Sequence, residues 1–243
     1  VGAAGDVTKV KGGGSFTPMY ISCHQGHVSV CQWLFDAGAS DDVTRANKNG
    51  ATPMYVACYN GHKSVCQWLF DMGANGDVTT KDKDGATPMF YACRGGHLEV
   101  CQWLHSNDAD GDIAVKKKGL NGSSTCMLMA CMGGHLEVCH WLFDCLERLK
   151  PGKGAEHVRF SNGTHTPMSI ACTNARAEVC YWLATKGAAE DFKMITMDSH
   201  VYIDHRPSRI EVGVFLVLFG YFNADDGSID AEKAGHYTIR EGK

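Results

Sequence analysis

The same run of residues is written five times along this chain. TPMYISCHQGHVSVCQWLF begins at Thr17, TPMYVACYNGHKSVCQWLF at Thr52 and TPMFYACRGGHLEVCQWLH at Thr87. STCMLMACMGGHLEVCHWLF then carries Thr125, and TPMSIACTNARAEVCYWLA begins at Thr166. Trp33, Trp68, Trp103, Trp141 and Trp182 follow those threonines at one fixed offset and use all five tryptophans of the protein. A tandem repeat of this length means that each unit is one supersecondary element, unable to bury its apolar face alone and stable only when stacked on its neighbours.

The threonines are separated by 35, 35, 38 and 41 residues, so a fixed core is joined by connections that lengthen toward the C-terminus. Thr followed by Pro reads as a helix start, with Thr17, Thr52, Thr87 and Thr166 as N-caps and proline at the first helical position, where its missing N–H costs nothing. This first helix is short, ending near Gly26, Gly61, Gly96 and Gly134, where glycine supplies the turn. In a second helix Val30, Trp33, Leu34 and Ala37 fall at i, i+3, i+4 and i+7 and form an apolar face, while Ser29, Gln32 and Asp36 face away. The connection that follows runs Gly38-Ala39, Asp42-Val43-Thr44 and Asn47-Lys48-Asn49-Gly50, and the hairpin signal of Asn49-Gly50 returns at Asp84-Gly85.

The run G-x-TPMY-x-AC-xx-GH-x-x-VC-x-WLF-x-x-GA resembles the ankyrin repeat, over about residues 1 to 196. The tetratricopeptide repeat has a near-identical period but lacks the Thr-Pro start and the glycine hairpin. The resemblance implies an all-α solenoid of stacked helix-turn-helix units with β-hairpin or loop fingers. It also implies a non-enzymatic, protein-binding scaffold without cofactor. This chain departs from the family where the histidine after the Thr-Pro start is replaced by Tyr20, Tyr55, Phe90, Leu128 and Ser169. Hydrogen bonds made by that histidine between repeats must be absent or replaced, with rings stacking instead. The second alanine of the family's pair is Cys23, Cys58, Cys93, Cys131 and Cys172, and the fifth unit has Ala175-Arg176 in place of Gly-His, which predicts a less regular turn and a less stable unit.

Val1 to Lys9 match the hairpin tail Gly73-Ala74-Asn75-Gly76-Asp77-Val78-Thr79, so residues 1–16 read as the tail of a truncated preceding repeat; residues 17–196 hold the five units. Residues 197–243 read as a degenerate sixth repeat or cap with a polar tail. The apolar run from Val212 to Phe222 is too short to span a bilayer, which takes about 20 residues.

Net charge −4 and 21% charged residues give no basic stripe for nucleic acid, and the run Lys116-Lys117-Lys118 reads as a solvated finger tip. Twelve cysteines raise metal and disulfide chemistry, and Cys-x3-His-x3-Cys recurs from Cys23, Cys58, Cys93 and Cys131. Each of these positions is already explained by packing, the fifth unit lacks the histidine, and zinc wants four converging ligands. Free cysteine is a small buried hydrophobe, so reduced thiols and an intracellular, cytoplasmic home are expected. Cys126 and Cys145 lie outside the pattern and are the candidates for a redox role, against the plainer reading that Cys126 replaces a proline. The segment from Asn223 to Ile229 fails as a calcium loop, since Phe222 and Lys233 would stand where oxygen ligands are needed. No nucleophile, base and orienting carboxylate share a recognisable spacing.

The expected function is therefore binding of a protein partner, not of a small molecule, nucleic acid or membrane, on the concave face that hairpin tips and first helices would line. The positions where the units differ most are the candidates: Phe16, His24, Gln25, Lys48, Asn49, Tyr59, Asn60, Lys83, Asp84, Arg94, Met132, Asn162, His165 and Thr173. Tyr59 and Arg94 carry most weight, because aromatic and arginine residues dominate interface energetics. A targeting or spacer role within a larger enzyme or channel is the alternative.

Overall fold

A computed structural model describes residues 6–188 apart from 11, 12, 14, 120 and 121. The sixth repeat, the terminal helix and the polar tail read from the sequence lie outside the described residues. Five helix pairs follow one another: α1 (Pro18–Gln25) with α2 (Val28–Leu34), α3 (Pro53–Tyr59) with α4 (Lys63–Leu69), α5 (Pro88–Gly95) with α6 (Leu98–His105), α7 (Cys126–Gly133) with α8 (Leu136–Leu149), and α10 (Pro167–Thr173) with α11 (Ala177–Leu183). An additional helix, α9 (Lys153–Val158), fills the lengthened fourth connection. The first helices pack side by side in one row and the second helices in another.

Each first helix starts as its threonine dictates. The hydroxyl of Thr17 accepts from the Tyr20 backbone N–H at 3.1 Å, and Thr52, Thr87 and Thr166 repeat the bond. Thr125 caps α7 in the same way at 3.2 Å although no proline follows it. The methionine after each cap position points inward: Met19, Met54, Met89, Met127 and Met168 are fully buried. Burying such a side chain is worth about 1.5–3 kcal/mol. Leu34, Leu69, Leu104, Leu142 and Leu183 meet this column from the second helices.

Where the second helix ends depends on one position. Gly38, Gly73 and Gly187 take left-handed backbone there, with φ of 103°, 100° and 88°, and Asp108 does so at 66°. The fourth unit has Leu146 instead, so α8 runs on to Leu149 before Pro151 and Gly152 turn the chain. Glu147 then accepts from the backbone N–H groups of Gly152 at 2.8 Å and Ala155 at 3.2 Å, which holds the start of α9 against α8.

The fingers of the first two connections are turns, not strands. Asn47 closes the first through its N–H to the Ala51 carbonyl at 2.9 Å, and Asp82 closes the second likewise to Ala86. Only the third connection forms a ribbon among the described residues: β1 (Lys117–Gly119) pairs antiparallel with β2 (Gly122–Ser124), Lys117 opposite Ser124.

Two expectations change. Val30 and Trp33 do not share a buried face, for they are 42% and 57% exposed, whereas Val65 and Val100 are buried and Trp103 is 9% exposed. The reason is stacking. Trp68 meets Phe35 edge-on at 6.0 Å and donates its indole N–H to Gln32 at 2.8 Å, and Trp103 does the same to Phe70 and Gln67. Trp33 has no such neighbour among the described residues. The fifth turn, expected to be irregular, keeps the hydrogen bond of the others, from Arg176 N–H to the Ala171 carbonyl at 2.9 Å, but Ala175 must adopt φ 54° to make it. Its cost is left-handed strain rather than disorder of the turn.

Candidate interaction surface

The histidine column of the turns ties unit to unit. His62 reaches the His24 carbonyl with Nε2 at 3.0 Å, His97 reaches that of Tyr59 and His135 that of Arg94, both at 3.0 Å. Arg176 takes the same role toward the Met132 carbonyl at 3.4 Å. The imidazole lies flat against the preceding turn, so a Cβ at Gly61 would collide with the ring of His97. Burial lowers the pKa of His97, against the upward pull of its bond to the Tyr59 carbonyl. The recurring Cys-His-Cys run is thereby split: the histidine turns to the neighbouring unit while the cysteines turn into the core. Among the described residues no three His, Cys, Asp or Glu side chains gather to hold a metal ion.

On the side of the fingers, tyrosine replaces the missing histidine. The Tyr20 hydroxyl accepts from the Asn47 amide at 3.2 Å, and the Tyr55 hydroxyl donates to the Asp82 carboxylate at 3.0 Å. Both bonds run from a first helix to the finger 27 residues on. Phe90 has no hydroxyl, and Lys117 in the corresponding finger sets its ammonium 5.4 Å from that ring instead, and 5.8 Å from Tyr91. The single side-chain oxygen of Asn47 accepts the backbone N–H groups of Asn49 and Ala51 while its amide nitrogen serves Tyr20, and Asp82 accepts those of Asp84 and Ala86 on the oxygen that Tyr55 leaves free. Desolvation raises the pKa of Tyr20 and of Tyr55.

The expected stacking of Tyr20, Tyr55 and Phe90 on one another is not found; the ring that Tyr55 meets, tilted by 49°, is that of Tyr91. Tyr55 lies 4.3 Å from Tyr91, not from Phe90, which is buried beneath. Tyr59 stands edge-on to Tyr91 at 5.7 Å with 39% of its own surface exposed. Phe16 leans on Tyr20 at 5.2 Å. Phe16 and Tyr20 thus form one aromatic pair, and Tyr55, Tyr91 and Tyr59 a second cluster across two units, with Arg94 exposed at the end of the helix that carries Tyr91.

The candidates read from the sequence divide by what their side chains already do. His24, Gln25, Lys48, Asn49, Lys83, Asp84 and Arg94 are exposed. The first two fingers are joined, since Lys83 N–H donates to the Asn49 carbonyl at 3.0 Å, which sets Lys48, Asn49, Lys83 and Asp84 on one edge. Asn60 is half-buried and donates to the Val56 carbonyl at 2.8 Å; Thr173 donates to that of Ser169 at 2.8 Å. Asn162 accepts from the backbone of Thr164 and His165, shaping its own loop, while His165 is exposed. Met132 packs partly against the core. Tyr20, Tyr55, Tyr91, Asp82 and Lys117 were not among those candidates; the constant offset of 27 residues between helix and finger is the signal that would have found the ladder.

Two members of the lysine run, Lys116 and Lys117, are engaged and are not a solvated tip. Lys117 has only 15% of its side chain exposed and lies 3.9 Å from Asp84, and Lys116 sits 4.6 Å from the ring of Phe160 and 4.0 Å from Glu156. Ring faces and carboxylates of adjacent units draw these cations back into the stack. The two cysteines outside the pattern are also engaged: Cys126 donates to the Asp112 carbonyl at 3.6 Å, and Cys145 accepts from Arg148 at 3.1 Å.

No helix among the described residues is long and apolar enough to cross a membrane. Comparison with known proteins gives one family: a model described as ankyrin repeats matches three times, over residues 5–82, 41–115 and 74–148. No curated protein matches the chain.

Proposed function

Because this chain belongs to the ankyrin-repeat family, whose repeats are generally protein–protein interaction modules, we propose that it is a scaffold that binds a protein partner on the surface shared by its fingers and first helices. The observation that carries this reading is Tyr59: a large ring 39% exposed and braced edge-on by Tyr91, which itself lies about one helical turn before the exposed Arg94. A ring held by its neighbour loses little freedom on binding, and Tyr and Arg are the side chains most often found at the energetic centre of an interface. The joined finger edge of Lys48, Asn49, Lys83 and Asp84 supplies charges of both signs for a polar rim. The abundance of buried thiols supports a reducing, intracellular setting.

Affinity capture tests the proposal, with wild type compared against a Tyr59→Ala/Arg94→Ala variant whose helicity is checked by circular dichroism. A protein retained by wild type and lost by the folded variant is the expected result. Equal retention by both would overturn the placement of the surface, and retention by neither would favour a spacer or targeting role.

A further inference from the structure

The repeated cysteines meet in pairs, one from each helix of a unit. The sulfurs are 3.6 Å apart in Cys23 and Cys31, 3.5 Å in Cys58 and Cys66, 3.7 Å in Cys93 and Cys101, and 3.7 Å in Cys131 and Cys139. All eight of these residues are buried. Cys172 and Cys180 are nearest, at 3.3 Å, and Cys172 is the one cysteine of the chain that is not fully buried. Between them lies the turn in which Ala175 is held at φ 54°. Strain in that turn makes local opening of this helix pair less costly than opening of a pair whose turn carries glycine.

We propose that Cys172 and Cys180 are an oxidation site at which hydrogen peroxide forms a disulfide that staples α10 to α11. A disulfide needs its sulfurs at about 2.0 Å, and these two already face each other across the turn. In the first step one sulfur, as thiolate, attacks a peroxide oxygen; the O–O bond breaks, a sulfenic acid forms, and the released hydroxide takes up the thiol proton to become water. In the second step the other sulfur attacks the sulfenic sulfur, the S–S bond forms, and the expelled hydroxyl leaves as water with the second thiol proton. Two thiols are oxidised and one peroxide is reduced to two waters. The other pairs have the same partners but are sealed, so access, not pairing, sets the order of reaction.

The test is peptide mapping of the purified full chain after a graded peroxide series, with free thiols alkylated under denaturing conditions. The expected result is a linked species containing Cys172 and Cys180, lighter by two hydrogens, at doses that leave the other four pairs alkylated. Amide exchange in α11 should slow in the linked form, and Cys172→Ser should abolish the link. Recovery of Cys172 and Cys180 as free thiols or as unlinked sulfinic acids after full peroxide exposure of the wild-type chain would overturn the proposal. So would linkage of all five pairs at one rate, which would mean that the sulfurs react only when the whole chain unfolds.

Discussion

The hydroxyl of Tyr55 donates to the carboxylate of Asp82 across 3.0 Å, joining the first helix of one unit to the finger of the next. The same carboxylate accepts from Asp84 and Ala86 N–H, so one side chain shapes the finger and fastens it to the preceding helix. At the neighbouring interface Asn47 and Tyr20 do this without a charge. Tyr55→Phe is expected to cost about 1.5–3 kcal/mol and Tyr20→Phe about 0.5–1.5, the difference between a charged and a neutral hydrogen bond. Urea unfolding of the two variants checks the order; a larger loss for Tyr20→Phe would contradict it.

Stacking predicts that the same tryptophan matters differently from unit to unit. Trp103 is 9% exposed and holds Gln67 and Phe70 of the preceding unit, whereas Trp33 is 57% exposed. Trp103→Ala should destabilise by about 3–5 kcal/mol and Trp33→Ala by less than about 1. Similar losses in chemical denaturation would mean that the tryptophans act within their own units.

Those contrasts show how far the sequence could be read. The caps at Thr17, Thr52 and Thr87 and the turn at Gly26 were legible because they are local, set by residues within a few positions of each other. The burial of Trp33 was misjudged because periodicity names an apolar face without saying whether a neighbour covers it. The Tyr55–Asp82 bond stayed hidden because it crosses from one unit to the next, and the thiol pairs because each cysteine had been explained singly as a small core residue. The run-on of α8 was legible in principle, since Leu146 stands where Gly38 and Gly73 end the equivalent helices.

Ala175 offers a gain of stability. Its φ of 54° is one that glycine adopts freely at the same turn in other units. Ala175→Gly should stabilise the chain by about 1 kcal/mol, read as a higher melting temperature, and a lower one would show that the turn carries no strain.

Asp77 gives a pH dependence. Burial pushes its carboxyl up to about 6 from 3.8, the Thr52 hydroxyl offsetting part of the rise. A folded value above the unfolded one means that the fold favours the protonated acid. Its contribution is fully present below about pH 4 and is lost as pH rises through about 6. Asp77→Asn cannot ionise, so its melting temperature relative to wild type should be higher by a few degrees at about pH 7.5 than at about pH 4. The same difference at both pH values would contradict the raised carboxyl.

The central claim is that the partner sits on the fingers and first helices, and site-specific photo-crosslinking tests it most directly. A photoreactive residue placed at Arg94 probes that surface, and one placed at Glu99 on α6, where the native side chain lies 3.6 Å from Lys63, probes the second-helix row. With the captured partner present, a covalent adduct should form from position 94 and not from position 99. An adduct from position 99 with none from position 94 would place the partner on the other row and contradict the account.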